Sequence, residues 1–392
     1  MCLNCFSRRD VFKLAGLLSA GVMVAPRRLH AQASNAPVRI GYLPITDAAP
    51  LLLAHANGYF EAEGIAVEKP VLLRSWAQVI EAFLSGQVNV IHLLSPMAVW
   101  ARFASKAPVK MVAWNHVGGS GLTVAPEINS LGDLGGKTVA IPFWYSIHNV
   151  VLQAMLRAQS LNPVAQQGGT IGARDVNLIV MAPSDMPPAL AAKQIAGFIV
   201  ADPFNAAAEL LGIGKILRFT GDVWRNHACC VMLMNEADLQ QRPDWSQKVV
   251  NAVVKAQLWA RANRADSVLL LSKDGANRYT PHAPATLGKV LSPAETDRAS
   301  YITSGAIQNG GWNDRRIDFQ PFPYPSYTEE LIRRLKTTVL QGSRDFLTDL
   351  DPVSAARDLT DDRFVRHAIA ANGGFSAFGA PESFTRRETI QP

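Results

Sequence analysis

A repeated alternation of short apolar runs with helical patterns constrains this chain more than any other feature. Residues 38–42 form an apolar run, 44–47 a turn and 49–60 a helical pattern, and the unit recurs over 66–73, 77–84, 88–93 and 96–103. A β–α rhythm of this kind builds an open, mostly parallel sheet covered by helices, so the class is α/β. Ligands of such sheets sit outside the carboxyl ends of the strands. That places the interest on the loops at 44–47, 74–76 and 94–96.

A second block opens near Leu131, where Gly135, Gly136 and Lys137 precede an apolar strand at 138–142 and a helical pattern at 146–156. The alternation continues over 176–181, 186–193, 197–200 and 205–211, and another apolar strand at 227–234 leads into long helical patterns from Asp244. With 392 residues and 48% apolar composition, the chain exceeds what one core usually supports. Two α/β lobes are therefore expected, joined by crossing strands at 111–125 and 227–234. The first lobe is discontinuous, 34–125 with 227–392, and the second is 126–226. The ligand cleft should lie between them.

Residues 1–33 read as a leader. Ser7-Arg8-Arg9-Asp10-Val11-Phe12-Lys13 spells a twin-arginine export signal ahead of an apolar stretch at 14–25, which is shorter than the roughly 20 residues that span a bilayer. Ala31 and Ala33 flank Gln32 in the small-x-small pattern of a signal peptidase site, so cleavage is expected after Ala33 and the mature chain in the periplasm. No cysteine stands at a lipid-attachment position. Of the net charge of +6, Arg8, Arg9, Lys13, Arg27 and Arg28 against Asp10 place +4 in the leader. The remainder is nearly balanced, which gives no basis for nucleic-acid binding. A monomer is expected.

Several residues suit a small-ligand site. Ser146-Ile147-His148 opens a helix at a strand's carboxyl end, where free N–H groups and the positive helix end favour an anion. Trp76 can wall a pocket with its indole N–H turned inward. Thr46, Asp47, Ser95 and Asn115 place short polar groups at loop positions, and His227 stands at the return crossing. Asp202, before Pro203, can cap the next helix, with a cleft-facing role second.

The ordered segments Ile40-Gly41-Tyr42 with Pro44, Ala49-Pro50, Gly58-Tyr59-Phe60, Gly136-Lys137-Thr138-Val139-Ala140-Ile141-Pro142-Phe143, Ala201-Asp202-Pro203-Phe204 and Gly221-Asp222-Val223-Trp224-Arg225-Asn226-His227 resemble the nitrate/sulfonate/taurine/bicarbonate (NMT1/THI5-like) solute-binding proteins of ABC importers, most of all the nitrate/bicarbonate branch. The resemblance implies a type II periplasmic-binding-protein fold that closes on its ligand and docks on a membrane permease. It also implies ligand contact at His148. The nitrate pattern has a basic residue just after the histidine matched by His227, where this chain has cysteines; the departure weakens the case for nitrate itself.

His227 with Cys229 and Cys230 raises a metal site. Successive residues of a strand face opposite ways, so both thiols should not reach one ion, and no metal is expected. The two cysteines should be buried and behave as small hydrophobes. The same residues carry the alternative function, an enzyme on this fold, desulfinase-like or pyrimidine-synthesis-like, with Cys229 or Cys230 as nucleophile and His227 as base. No Gly-x-Ser-x-Gly, His-Glu-x-x-His or Walker motif is present. The expectation is a binding protein without cofactor and no catalysis.

Overall fold

Thirteen strands and their connecting helices are seen in the computed structural model, which describes residues 36–392 apart from Asn313 and Asp314. The twin arginines and the cleavage site lie outside the described residues. The chain runs through β1 (Ile40–Tyr42), β2 (Val71–Leu72), β3 (Val90–Leu94) and β4 (Val109–Trp114). Next come β5 (Val117–Gly118), β6 (Ser120–Val124), β7 (Lys137–Ile141), β8 (Asn162–Val164), β9 (Asp175–Val180), β10 (Gly197–Ala201) and β11 (Lys215–Phe219). It returns through β12 (Cys230–Asn235) and ends its strands with β13 (Ile317–Asp318).

Eleven of the strands form two sheets, one per lobe, in the orders β2-β1-β3-β12-β4 and β11-β6-β10-β7-β9-β8. Each sheet is parallel at its heart and carries one antiparallel intruder. β6 runs against β10 and β11 in the second sheet, and β12 runs against β3 and β4 in the first. These are the strands by which the chain enters one lobe from the other, and a crossing chain meets its new sheet head-on. The expected boundary at 125 therefore moves back: β6 belongs to the second sheet, and the crossing is the short stretch 115–119. There β5 pairs with β13 in a separate two-stranded ribbon. Strands buried on both faces read as near-continuous apolar runs, and β3, Val-Ile-His-Leu-Leu, is wholly buried with one histidine in it.

The helices after β3 and β7 begin where the sequence pattern put them. Ser146 caps Ile147–Ala158 by accepting from the Asn149 N–H at 3.1 Å. Among the described residues no helix is long and apolar enough to cross a membrane.

The C-terminal third grips the second lobe at several points. Tyr301 O–H donates to Glu209 (3.0 Å), the N–H groups of Gln308 and Asn309 donate to Asp222 (3.0 and 2.8 Å), and Asn149 and Gln153 both donate to the Val339 carbonyl (3.2 and 2.9 Å). Trp312 stacks on Phe219 with centroids 5.0 Å apart. Arg316, next to β13, reaches Asp202 with both arms of its guanidinium at 2.6 and 2.8 Å.

Candidate functional site

The carboxyl ends of β1, β3, β4, β7 and β10 meet at the seam between the lobes. They bring Thr46 and Asp47, Ser95, Asn115, Ser146 and His148, and Asp202 together with Trp76 and His227 from adjoining loops and helices. All nine are buried, none more than 3% exposed. Burial on this scale is costly for polar groups unless they are hydrogen-bonded, so their partners decide what each residue can do.

Four of them are committed to holding the fold. The Ser146 hydroxyl donates to the Phe143 carbonyl (2.7 Å) while accepting from Asn149, so its proton is used within its own turn. Thr46 gives both its N–H (2.9 Å) and its hydroxyl (3.0 Å) to the Asp202 carbonyl, a direct tie between lobes. Ser95 is the first residue of a helix, not a loop residue, and bonds the Ala228 carbonyl (3.0 Å) and the Tyr327 hydroxyl (2.7 Å). Asp202 does not cap the following helix, whose flanking residue is Pro203 without a side-chain cap. Its carboxylate is paired with Arg316, with Asn205 Nδ2 at 3.2 Å.

The remaining residues hold polar atoms without partners. Trp76 Nε1, Asn115 Oδ1, His148 Nδ1 and His227 Nδ1 are buried and unbonded, as is Nδ1 of His92, which stands in the middle of β3. The protons can be assigned for two of the rings. Leu43 N–H donates to His92 Nε2 at 2.9 Å, and burial pushes the ring's pKa down to about 3. The ring is neutral, Nε2 is the acceptor and Nδ1–H is left as a free donor. The ring lies against Trp76, centroids 5.4 Å apart and planes tilted by 59°, and each of these two neighbouring side chains carries an unpaired N–H. For His227 the logic reverses. Thr220 donates its hydroxyl to the Ser120 carbonyl (3.1 Å) and so accepts from His227 Nε2–H (2.8 Å), leaving Nδ1 as an acceptor. His148 Nε2 meets Ser120 Oγ at 2.9 Å.

Cys229 and Cys230 are buried free thiols, as expected, but their surroundings are polar, and the expectation of inert hydrophobes fails. Cys229 Sγ lies 3.7 Å from His148 Nε2. His116, which follows Asn115 and was not singled out from the sequence, brings Nε2 within 2.9 Å of Asp47 Oδ2. That approach is close, yet neither Asp47 oxygen has a bond of acceptable angle. Burial pushes the Asp47 carboxyl up to about 7 against the pull of His116. Burial also works to lower His116, but Asp47 and Cys229 beside it overcome this and hold it at about 10. Burial would raise Cys229 too, yet the neighbouring Cys230 thiol, His148 and His116 bring it well below its ordinary value, while burial and Cys229 drive Cys230 well above. The assumption that adjacent cysteines face apart is corrected as well. β12 begins only at Cys230, Cys229 sits in a bend, and strand alternation does not govern the pair.

A groove of about 730 Å³ opens along the seam, lined by Leu43, Pro44 and Arg74 on one side and by Ser184, Asp185 and Phe204 on the other.

The profile of the NMT1-like family matches residues 31–271, more than half of the chain. The chain belongs to the NMT1-like family. The nitrate/nitrite binding protein NrtA of Nostoc sp. (strain PCC 7120) is 26% identical over 257 residues, covering 59% of this chain and 56% of that protein. The chain thus spans about half the length of the curated relatives it matches. Among solved structures, the periplasmic nitrate-binding protein NrtA from Synechocystis PCC 6803 superposes with a TM-score of 0.72 at 18% identity, covering 90% of this chain and 93% of that one. The desulfurization enzyme DSZB superposes with a TM-score of 0.53 at 16% identity over 85% and 99%. Likenesses at these identities establish the NMT1-like chain's fold, two α/β lobes of the periplasmic-binding-protein kind, and no more.

Proposed function

We propose that this protein is the exported, periplasmic solute-binding component of an ABC importer, that it closes its lobes on a small solute of the nitrate, bicarbonate or sulfonate type, and that it delivers it to a membrane permease. The observation that carries this reading is the pair of unpaired buried donors, Trp76 Nε1–H and His92 Nδ1–H. They belong to the first lobe, and His148 faces the seam from the second. Donors without partners, brought together at a lobe interface, suit a solute rich in acceptor oxygens, because each unmade bond is a penalty that such a solute removes. The NrtA relatives support the same class, as does a fold whose closure needs contacts from both lobes. Binding requires no bond to be made or broken.

Calorimetry of the mature chain with nitrate, bicarbonate and short alkanesulfonates tests this reading. Trp76→Phe, which keeps the ring and removes the N–H, should weaken binding of the accepted solute by about 1–2 kcal/mol with melting unchanged. Unchanged affinity in both Trp76→Phe and His92→Phe would remove the donors from recognition.

A second reading is favoured by one observation, the alignment of Cys229, His116 and Asp47 with a lowered thiol. A nucleophile, a base and an orienting carboxylate are the parts of a cysteine enzyme, and His116 takes the role that the sequence offered to His227. Rapid stoichiometric alkylation of Cys229 by iodoacetamide, with turnover of a sulfonate or sulfinate abolished by Cys229→Ser, would establish it over the binding reading.

A further inference from the structure

We infer that Asp47, His116, Cys229 and Cys230 form a binding site for a divalent cation of the zinc class. Their candidate ligand atoms, one from each residue, all lie within 4.8 Å of one another, and all four residues are buried. Four ligands around zinc, with sulfur at about 2.3 Å and nitrogen or oxygen at about 2.0–2.2 Å, stand roughly 3.3–3.8 Å apart. The cluster needs to contract by only about 1 Å. Its composition, two thiols, an imidazole and a carboxylate, is that of a tetrahedral site for a borderline-soft ion and unlike the all-oxygen shells of calcium or magnesium.

A second observation points the same way. Asp47 Oδ1, Asp47 Oδ2 and His116 Nδ1 have no hydrogen-bond partner although they are fully buried. Within the cluster His116 Nε2 accepts only the backbone N–H of Cys230, at 3.3 Å; a carboxylate with both oxygens unpartnered beside an imidazole and two thiols forms a poor hydrogen-bond network and a good ligand set. Ligation needs the thiols and carboxyl deprotonated, so loading displaces protons from Cys230 and from Asp47 or His116 to solvent. The ligands also come from three separate segments: the loop after β1, the outward crossing after β4 and the end of the return crossing where β12 begins. An ion held there clamps both crossings to the first lobe. The inference does not depend on which solute the seam accepts.

Cobalt titration of the chelator-stripped mature protein tests it. One equivalent of Co²⁺ should produce a thiolate charge-transfer band and the intense visible bands of tetrahedral cobalt, both abolished by one equivalent of Zn²⁺. Cys229→Ser and Cys230→Ser should each weaken cobalt binding by at least about 100-fold, because changing an outer-shell partner alone costs about 10–100-fold, while Cys229→Ser with Cys230→Ser together should lose the charge-transfer band. X-ray absorption of the zinc-loaded wild type, which needs no variant to fold, should count two sulfur ligands. Cobalt bound with an octahedral, oxygen-type spectrum, no sulfur in the absorption fit, or a band that persists in the double serine variant would overturn the site. Solute calorimetry on the same stripped sample reports separately on the importer reading.

Discussion

Arg316 and Asp202 are joined by two short bonds, 2.6 and 2.8 Å, with the arginine side chain 3% exposed and the aspartate side chain 0%. This fork closes the gap between the hinge ribbon and the second lobe. Breaking such a pair from one side leaves an uncompensated buried charge and costs about 3–5 kcal/mol, whereas replacing both members by neutral groups is often close to neutral. Arg316→Met should therefore sit at the upper end of that range, because Asp202 keeps only Asn205. Asp202→Asn should sit at the lower end, because Glu209 at 3.2 Å still faces the guanidinium. The double variant should recover most of the loss and stand within about 2 kcal/mol of wild type. The Thr46 tie offers no alternative source for these effects, since it uses the Asp202 backbone carbonyl, which all three variants retain. Urea unfolding of the four proteins gives the cycle directly. Single variants within about 1 kcal/mol of wild type, or a double variant equal to the sum of the singles, would show that the pair is not the coupled connection that its burial implies.

Three further outcomes are expected. His92 and His227, both pushed down to about 3 by burial, refuse protons that the unfolded chain accepts below 6.5, so each contributes a loss of about 1.4 kcal/mol per unit of pH as the medium is acidified from 6.5 toward 3. Asp47, held up to about 7, works in the opposite sense between 3.8 and 7, while the Cys229 thiol, brought well below its ordinary value, adds to the loss because the unfolded chain keeps that proton; the sum is a fall in stability on acidification that urea midpoints at pH 7, 6 and 5 measure, and His92→Phe should make it shallower. Ser146→Ala should cost about 1 kcal/mol of stability through the lost cap and leave solute affinity unchanged, whereas His148→Ala should cost one to two decades of affinity; equal effects on binding would return the Ser146 hydroxyl to the site. Replacing Arg8 and Arg9 by Lys should leave the precursor in the cytoplasm, and periplasmic mature protein from that variant would exclude the twin-arginine route.

The parallel strands were legible because each is an apolar run bounded by turn residues, as in β3, β7, β9 and β10. β6 and β11 were not, since Ser-Gly-Leu-Thr-Val and Lys-Ile-Leu-Arg-Phe mix polar with apolar residues in a way that fits a connector as well as an edge. The same local view explains the site. A polar residue at a strand's carboxyl end can be placed from sequence, which is how Trp76, Asp47, Asn115, His148 and His227 become candidates. Whether its polar group is free depends on partners hundreds of residues away: Asp202 is claimed by Arg316, and Ser95 by Tyr327. His92 was hidden because a single histidine inside Val-Ile-His-Leu-Leu reads as core, and His116 because nothing in its neighbours announces that Asp47 and Cys229 will close around it.

The family profile ends at residue 271, and the side chains and carbonyls that grip the second lobe, from Tyr301 to Val339, all lie beyond it. Without those struts the lobes would be joined by the two crossings and the Thr46 tie to the Asp202 carbonyl alone. An opening of the lobes would have to break the contacts at Glu209, Asp222 and Val339 along with the Arg316 fork, which would raise its barrier whether or not solute is present. If the chain captures solute as proposed, that barrier would slow capture and release alike, so the C-terminal third would set the exchange rate while the groups at the seam set the affinity.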